Sequence, residues 1–406
     1  MGLLDLKVNR NGWWISLLLI TSYLNAVLKA GVDGNMTVFR ILLLPTILMM
    51  IPERKRTMTE FIGLAIFTVV YCYIISYLPF NRFQDFDIVF TLHYILVPFC
   101  FIIMNYFIDK VGLDYLYNFF KKFHYVMLVL AFIQFFAGGV YPNTQNRAPM
   151  VNIFFWNENE FVTVLAIFIP LYFLIEKETL IKYLVIFCSL FFIVYSDARL
   201  LIIGLVLFFG IYYSSKLPFY KYKMLWILSM FLLILILTPY LANKKIFDDY
   251  TFFDLFADTI RRIFTLDDYE GIGSVISRVN AYIWGQIDLY KTYLFGIGPS
   301  NSFIIMKEHT PVGLEAYSPK SFHNIILQMI VEIGFLGIFL FLMLVRMIRN
   351  TVKGSPFRHS IVIGYYIAAF IFSTILSGAF SNYPFIFIIA FSLTMFKTNF
   401  RGRAQN

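Results

Sequence analysis

Charged residues are scarce in this chain of 406 residues, where Asp, Glu, Lys and Arg together make up only 14%. Hydrophobic residues make up 60% and aromatic residues 20%. A soluble domain cannot bury so large an apolar fraction, which excludes a soluble globular protein. Hydrophobic runs long enough to cross about 30 Å of hydrocarbon recur from end to end. We therefore predict an integral membrane protein.

Cysteine and metal-ligand patterns are also sparse. The three cysteines, Cys72, Cys100 and Cys188, lie in apolar runs without ligand spacing, so they are predicted to be small buried hydrophobic residues. No Asp-x-Asp or His/Asp cluster is placed to hold a cation, and the acidic pairs at 248–250 and 267–269 are predicted to be solvated loop. We expect neither a metal nor another cofactor.

Internal repeats and nucleic-acid-binding modules are missing as well. Without a repeat, an inverted-repeat transporter is less favoured. The net charge of +9 is not accompanied by a basic module interleaved with aromatic residues. We interpret this charge as a membrane-topology signal and expect no nucleic-acid partner.

The hydrophobic runs predict an all-α, polytopic membrane protein with about twelve transmembrane helices and one large structured extracytoplasmic loop. The predicted spans are 12–30, 37–52, 61–79, 88–108, 122–140, 159–175, 180–196, 199–214, 223–242, 322–345, 359–378 and 383–397. The first run has no small-residue cleavage site after it and is expected to be a retained helix rather than a signal peptide.

Lys and Arg predict the orientation, because cytoplasmic segments are enriched in them. They concentrate in the N-terminal tail, 53–56, 109–122, 176–182, 216–223, 346–358 and the C-terminal tail. The short turns on the other side hold few. Both termini are therefore predicted to be cytoplasmic.

We predict a single transmembrane domain over 1–406, with the extracytoplasmic loop 243–321 inserted between spans 9 and 10. Within this loop, 277–294 has apolar residues at one-sided helical spacing and is predicted to be an amphipathic helix on the membrane surface. The glycines and proline of "FGIGPSNSF" (295–303) are expected to end that helix.

The most informative stretch is "SFHNIILQMIVEIGFLG", which begins at Ser321. Asn324, Gln328 and Glu332 are spaced to form one polar stripe on a helix, and Glu332 lies about 13 Å inward from His323. A glutamate at that depth must pair or be protonated. Either Gln328 and Glu332 bond a neighbouring helix, or they line a site. His323 is at the outer lip, where it is suited to accept a proton from a sugar hydroxyl.

Three further patches fall on the same predicted outer side. Arg199 is either an ordinary turn arginine that reaches the headgroups or a fixed guanidinium for a phosphate. Arg278 and Trp284 belong either to a solvated basic face or to a site. Asn157 and Asn159 either cap the sixth span or hold sugar hydroxyls. Each patch alone is a weak signal, but their shared side favours a site.

Taken together, these patches resemble the bacterial O-antigen ligase and polysaccharide polymerase superfamily of membrane glycosyltransferases. The resemblance rests on the Asn-x-Asn at Asn157, the Ser-x-x-Arg turn at Ser196, the Arg…Trp…Gly-x-Gly segment of the large loop, and "HNIILQMIVEIGFLG". It covers roughly 150–345. The His-Asn pair followed by a glutamate and two glycines is its most specific part.

The resemblance implies a metal-independent glycosyl transfer from a polyprenyl-diphosphate-linked oligosaccharide to a hydroxyl acceptor. It assigns Arg199 and Arg278 to the donor diphosphate and the leaving-group charge, and His323 to the acceptor hydroxyl. Asn157, Asn159, Trp284, Asn324 and Glu332 are predicted to bind substrate. The partners implied are this lipid-linked donor and membrane lipid; whether a further protein regulates chain length is open.

The expected function is a polysaccharide polymerase of surface polysaccharide, O-antigen or capsule biosynthesis, on the outer side of a bacterial cytoplasmic membrane. The alternative within the superfamily is a ligase that attaches finished polymer to a terminal acceptor, because the shared motifs concern the donor. From another class, a flippase for lipid-linked oligosaccharides suits twelve spans equally well. Against it, the arginines gather at the outer rim rather than deep within several spans.

Overall fold

The computed structural model describes residues 10–30, 36–79, 81, 86–137, 151–155, 157–196, 198–216, 245–247, 250–251, 283–302, 324–374, 376 and 382–398. The helices are α1 (Arg10–Tyr23), α2 (Val38–Glu53), α3 (Lys55–Ser76), α4 (Ile88–Phe136), α5 (Glu158–Ile175), α6 (Leu180–Tyr195), α7 (Arg199–Lys216), α8 (283–291), α9 (Ile325–Gly354), α10 (His359–Ser373) and α11 (Tyr383–Met395). Two short antiparallel hairpins join β1 (Lys29–Ala30) to β2 (Met36–Thr37) and β3 (Lys245–Phe247) to β4 (Tyr250–Thr251). The described chain is thus almost wholly helical, as predicted.

Four of these helices, α3, α4, α5 and α9, are long and apolar enough to cross a membrane, and several shorter ones are strongly apolar. Each predicted span overlaps a described helix except 223–242, which lies outside the described residues. The structure therefore describes a membrane protein built of apolar helices. The full number of spans stays a prediction.

The first helix ends earlier than expected, at Tyr23 rather than near residue 30. A single 3-10 turn, Leu24–Ala26, follows it, and the chain then enters the β1–β2 hairpin. Lys29 pairs with Thr37 in that hairpin, so its backbone groups bond across the two strands instead of continuing the helix.

Predicted spans 4 and 5 are joined more tightly than the sequence suggested. They form one helical stretch, α4, which would be about 74 Å long if straight, more than twice the hydrocarbon thickness. Gly112 interrupts it with φ 81° and ψ 162°, a conformation that a side chain rarely allows. The break falls within 109–122, the segment predicted to lie on the cytoplasmic side.

Most described helices begin at a side chain that accepts a hydrogen bond from the first turn. The N-cap residues of this kind are Thr37, Asp87, Asn157, Thr179, Asn324 and Asn382. Each satisfies a backbone N–H that the helix cannot pair internally. In a membrane protein such caps matter because an unpaired N–H near the hydrocarbon is costly.

The helix α5 lies in the middle of the bundle, where 89% of its residues are buried. In the most apolar 18-residue stretch of α3, only 28% of the residues are buried. Large apolar side chains on the peripheral helices face outward, among them Ile66 and Phe67 on α3 and Leu184 and Phe187 on α6. Such an exterior suits contact with lipid tails. Residues at the ends of α5 are thereby held by neighbours on several sides.

Segments predicted to be cytoplasmic meet at one end of the bundle. An ion pair joins Arg54 to Asp109, and Lys110 Nζ lies 2.5 Å from Glu53 Oε2. Further round, Lys121 Nζ lies 2.7 Å from Glu176 Oε1. These contacts agree with the predicted grouping of 53–56, 109–122 and 176–182, which we call the inner end.

Candidate active site

The outer start of α9 is organised by Asn324. Its side-chain Oδ1 accepts hydrogen bonds from the backbone N–H groups of Ile326 (3.0 Å) and Leu327 (2.9 Å), and the residue is buried. It is therefore the N-cap of α9. His323 directly precedes it in the chain and, like Arg278, lies outside the described residues. The cap fixes the position at which the chain enters α9.

Two turns inward, Glu332 is completely buried and its carboxylate accepts four hydrogen bonds. Tyr94 of α4 and the backbone N–H of Ser300 (3.0 Å) donate to Oε2. Ser302 and Gln328 Nε2 (3.1 Å) donate to Oε1. The polar stripe predicted for α9 is real, and Glu332 joins three segments: α4, α9 and the loop after α8. This arrangement fits the alternative in which Gln328 and Glu332 hold neighbouring segments together; binding of substrate by Glu332 stays a prediction.

The loop 294–302 lies against a break in α9. The break is at Ile333 and Gly334, where Gly334 has φ 47° and ψ −122°. Three backbone hydrogen bonds of 3.0 Å cross the junction: Ile297 N–H to Val331 O, Gly298 N–H to Glu332 O, and Phe335 N–H to Leu294 O. The carbonyl and amide groups that the helix loses at its break are thus paired with the loop.

Glycines permit this close approach. A Cβ on Gly334 would lie 2.1 Å from Leu294 O, and one on Gly296 would lie 2.5 Å from Glu332 O. Both distances are far below contact distance, and the obstructing atoms are backbone. From the sequence alone, the glycines of "FGIGPSNSF" are expected only to end a helix; in the structure, Gly296 also makes room for α9.

Side-chain amides hold the same loop from the α3 side. Ile297 O accepts hydrogen bonds from Asn81 Nδ2 (2.8 Å) and Asn301 Nδ2 (2.7 Å), and Asn81 Nδ2 also donates to Ile75 O (2.9 Å). Tyr71 of α3 donates to Phe295 O (2.9 Å). The loop 294–302 is therefore fixed to α3, α4 and α9 together.

The helix α8, which carries Trp284, exposes apolar and aromatic residues and buries an acidic one. Tyr290 is 82% exposed and Ile283 is exposed as well, whereas Asp288 is only 7% exposed. An apolar outer face with a polar inner face suits contact with lipid on one side and protein on the other. Of the surface helix predicted over 277–294, residues 283–291 are helical and 277–282 lie outside the described residues. Trp284 itself is half-buried.

Asn157 caps the buried helix α5, because its Oδ1 accepts from the backbone N–H of Glu160 at 2.9 Å. Asn159 is half-buried, and its backbone carbonyl accepts from Thr163 Oγ1 at 2.6 Å. Across from them, Asn382 Nδ2 donates to Glu160 O at 3.3 Å. Capping thus accounts for Asn157 structurally, and contact of either asparagine with a sugar stays a prediction.

Near the start of α5 lies a polar cluster that the sequence motifs did not predict. Arg40 Nη2 lies 2.7 Å from His93 Nε2, and Arg40 Nε donates to Tyr383 Oη at 3.4 Å. His93 Nδ1 lies 3.0 Å from Val89 O, so the ring proton belongs on Nδ1 and Nε2 accepts from the arginine. Both Arg40 and His93 stand near the outer ends of apolar runs, a signal that could have identified them.

The start of α4 connects the two halves of this region. His93 contacts Arg40, and the next residue, Tyr94, donates to Glu332. These two consecutive residues of α4 thus link α2 and α11, through Arg40, to α9, through Glu332. The structure brings together Glu332, Gln328 and the loop 294–302. Separately, Asn157 and Asn382 both bond to the backbone of Glu160. Arg199 begins α7, and its side chain lies outside the described part of the chain.

Residues 184–342 match the family model described as O-antigen ligase. The predicted site residues within this match are Arg199, Arg278, Trp284, His323, Asn324 and Glu332, whereas Asn157 and Asn159 precede it. No curated protein matches the chain. The match covers the loop after α8, the start of α9 and the break at Gly334, and so it includes the junction described above. Through this central segment, the chain is similar to the O-antigen ligase family, in agreement with the resemblance drawn from the sequence.

Proposed function

We propose that this protein is a polysaccharide polymerase of a bacterial cytoplasmic membrane. It transfers a polyprenyl-diphosphate-linked glycan to a hydroxyl of another lipid-linked repeat unit on the outer face. The observation that carries the proposal is the family match over 184–342 together with the fixed junction of the loop 294–302 with α9. A membrane glycosyltransferase needs such rigidity to hold a donor and an acceptor in reacting geometry.

In the proposed mechanism, Arg199 and Arg278 bind the donor diphosphate and stabilise the charge that grows on it as the glycosidic bond breaks. His323 orients the acceptor hydroxyl or takes its proton as that oxygen attacks the sugar. Neither step requires a metal, because the arginines supply the positive charge. Asn157, Asn159, Asn324 and Trp284 contact the glycan. Arg40 adds a further cation to the outer rim, where His93 and Tyr383 hold it.

An apolar cavity of about 310 Å³ between α3, α4 and α9 supports a lipid-linked substrate. Tyr94, which donates to Glu332, lines it together with residues such as Phe61, Phe101 and Leu340. We propose that part of the polyprenyl chain packs here, because most of the lining side chains are apolar; Thr57, Glu60 and Asn105 are the polar ones besides Tyr94. The loop 243–321 is the proposed lid over the bundle. Both termini of the chain are proposed to lie on the cytoplasmic side.

The experiment is polymerisation by purified protein with defined lipid-linked repeat units in the presence of EDTA, with products resolved by size. We expect a ladder from the wild type and none from His323→Ala or Arg278→Ala. The matched controls are His359→Ala and Arg349→Ala, exposed residues of the opposite end, which should leave the ladder unchanged. Arg40→Gln is expected to weaken it.

The same assay separates the alternatives. When a terminal acceptor is added, transfer to that acceptor without a ladder identifies a ligase. No transfer at all, combined with movement of the lipid-linked sugar between proteoliposome leaflets, contradicts the enzyme and identifies a flippase. A ladder that survives in both variants removes the assigned roles of His323 and Arg278 but leaves the polymerase.

A further inference from the structure

A second cavity, of about 300 Å³, lies at the inner end, away from the candidate active site. It is formed where three helices begin or end. Leu174 comes from the last turn of α5, Tyr212 and Lys216 from the last turns of α7, and Ile361 from the first turn of α10. Two residues beyond Leu174, Glu176 belongs to the ion pairs that define the inner end.

Two cations border this cavity, Lys216 and Arg358. Both are exposed, and Lys216 Nζ stands 4.3 Å from the centre of the Tyr212 ring. Within the residues that the structure describes, neither has a carboxylate at ion-pair distance. Hydrogen bonds from Tyr183 and from Lys182 Nζ (3.0 Å) lower the pKa of Glu178, and the charge of Lys216 adds a smaller contribution. The carboxylate of Glu178 is therefore already engaged by other partners. The cavity therefore has a positive rim.

The start of α10 adds to that polarity. Arg358 is its N-cap residue and makes no side-chain cap bond, unlike the Ser, Thr, Asn or Asp type of cap at most other helix starts. Helix N-termini carry partial positive charge and free N–H groups, which favour an anion. The first turn of α10 includes Ile361 of the cavity wall, so the positive helix end and both cations border one space.

The rest of the wall is apolar, with Leu174, Phe357 and Ile361 beside the Tyr212 ring. A free phosphate has no apolar groups to bury against such a surface, whereas a phospholipid carries hydrocarbon chains beside its phosphate. Basic pockets between helices at the cytoplasmic side are typical places for anionic headgroups. We propose that this cavity binds the phosphate of an anionic phospholipid, between Lys216, Arg358 and the start of α10. This site is independent of the proposed glycosyl transfer.

Binding is tested by native mass spectrometry of the purified protein with phosphatidylglycerol, and separately with inorganic phosphate. The double variant Lys216→Gln/Arg358→Gln is expected to bind the lipid at least about tenfold more weakly, because two charge contacts are lost. The matched control is Arg346→Gln/Arg349→Gln, which removes two exposed charges of α9 that do not line the cavity. It should stay within about twofold of wild type, since its charges act only at a distance.

A further variant, Lys216→Arg/Arg358→Lys, keeps both charges and is expected to retain binding, which separates lost charge from lost folding. The proposal is overturned if the Gln double variant binds like wild type, or if the α9 control loses as much affinity. If inorganic phosphate binds as well as the lipid and displaces it, the ligand is a free phosphate and the lipid assignment is wrong.

Discussion

The two ends of the helix bundle handle carboxylates in opposite ways. At the outer end, Glu332 has no exposure and accepts four hydrogen bonds, all from neutral donors. At the inner end, Glu53, Asp109 and Glu176 pair with lysine or arginine, and their side chains remain 20–56% exposed. The first arrangement is buried and joins three segments, whereas the second is accessible to water and depends on charged partners.

The difference shows which polar contacts contribute most to the stability of the fold. A buried carboxylate without its donors costs several kcal/mol, so the Glu332 cluster is expected to form completely or not at all. Ion pairs that water reaches contribute about 0–1 kcal/mol each and weaken with salt. The inner pairs therefore contribute little to stability, whereas the outer cluster fixes the loop 294–302.

The largest effect is expected for Gly334→Ala. A Cβ there would lie 2.1 Å from Leu294 O and 2.3 Å from Phe295 C, at a φ of 47° that alanine rarely adopts. Since backbone must shift, the free energy of unfolding should fall by about 3 kcal/mol or more, and glycosyl transfer should be lost. Thermal unfolding in detergent measures the first and the ladder assay the second.

Gly63→Ala is the matched control, because nothing lies within 4 Å of a Cβ on that helical glycine. It should be neutral or raise the stability by up to about 1 kcal/mol. A Gly334→Ala variant that unfolds and polymerises like wild type would show that the loop does not dock on α9.

The next effect is expected for Glu332→Gln. Glutamine retains one carbonyl acceptor and presents an NH₂ group to donors such as Ser302 and Tyr94, so at least one hydrogen bond fails. We expect a loss of about 2–3 kcal/mol in the free energy of unfolding. Tyr94→Phe, which removes one donor at nearly constant volume, should cost about 1 kcal/mol.

The ladder assay distinguishes a structural role of Glu332 from a role in binding substrate. If Glu332→Gln keeps the stability of wild type and yet abolishes the ladder, Glu332 acts on substrate rather than as a structural link. If stability and activity fall together in proportion for Glu332→Gln and Tyr94→Phe, the structural role is sufficient.

A smaller effect is expected for Glu176→Gln at the inner end. Glu176 Oε1 accepts from Tyr117 (2.8 Å) and Lys121 (2.7 Å), and both contacts are weakened when the charge is removed. The loss should be about 1 kcal/mol and should shrink when sodium chloride is raised to about 1 M, where the screening length is about 3 Å. The Glu332→Gln effect should not depend on salt. Equal salt dependence of the two would contradict the comparison.

The smallest effect is expected for Arg56→Ala. Its side chain is 93% exposed and pairs with Glu60 four residues later on α3, at 2.9 Å. Fully exposed pairs of this kind contribute roughly 0.3–0.5 kcal/mol. Unfolding in urea or by heat should detect little change, and a loss above about 1 kcal/mol would mean that this pair is held by more than its own charges.

Much of this organisation was predictable from local sequence. The apolar runs predicted nearly all the described helices, and the distribution of Lys and Arg predicted that 53–56, 109–122 and 176–182 share one end. The spacing of Asn324, Gln328 and Glu332 predicted a polar stripe, and the family resemblance is confirmed. Three features were not predicted: the single-residue break at Gly112, the docking of the loop on α9, and the Arg40–His93–Tyr383 cluster.

The difference between the two groups has a physical cause. Hydropathy acts on each segment by itself, since every run partitions into the bilayer according to its own composition. The order of residues is therefore enough to predict the apolar helices, and the flanking charges predict the sidedness, which stays a prediction. The partners of a buried carboxylate are a property of the packed bundle. Tyr94 and Glu332 are 238 positions apart, and Arg40 and Tyr383 are 343 apart. No local pattern encodes which of the many tyrosines meets which charge; packing of α4 against α9, and of α2 against α11, decides it.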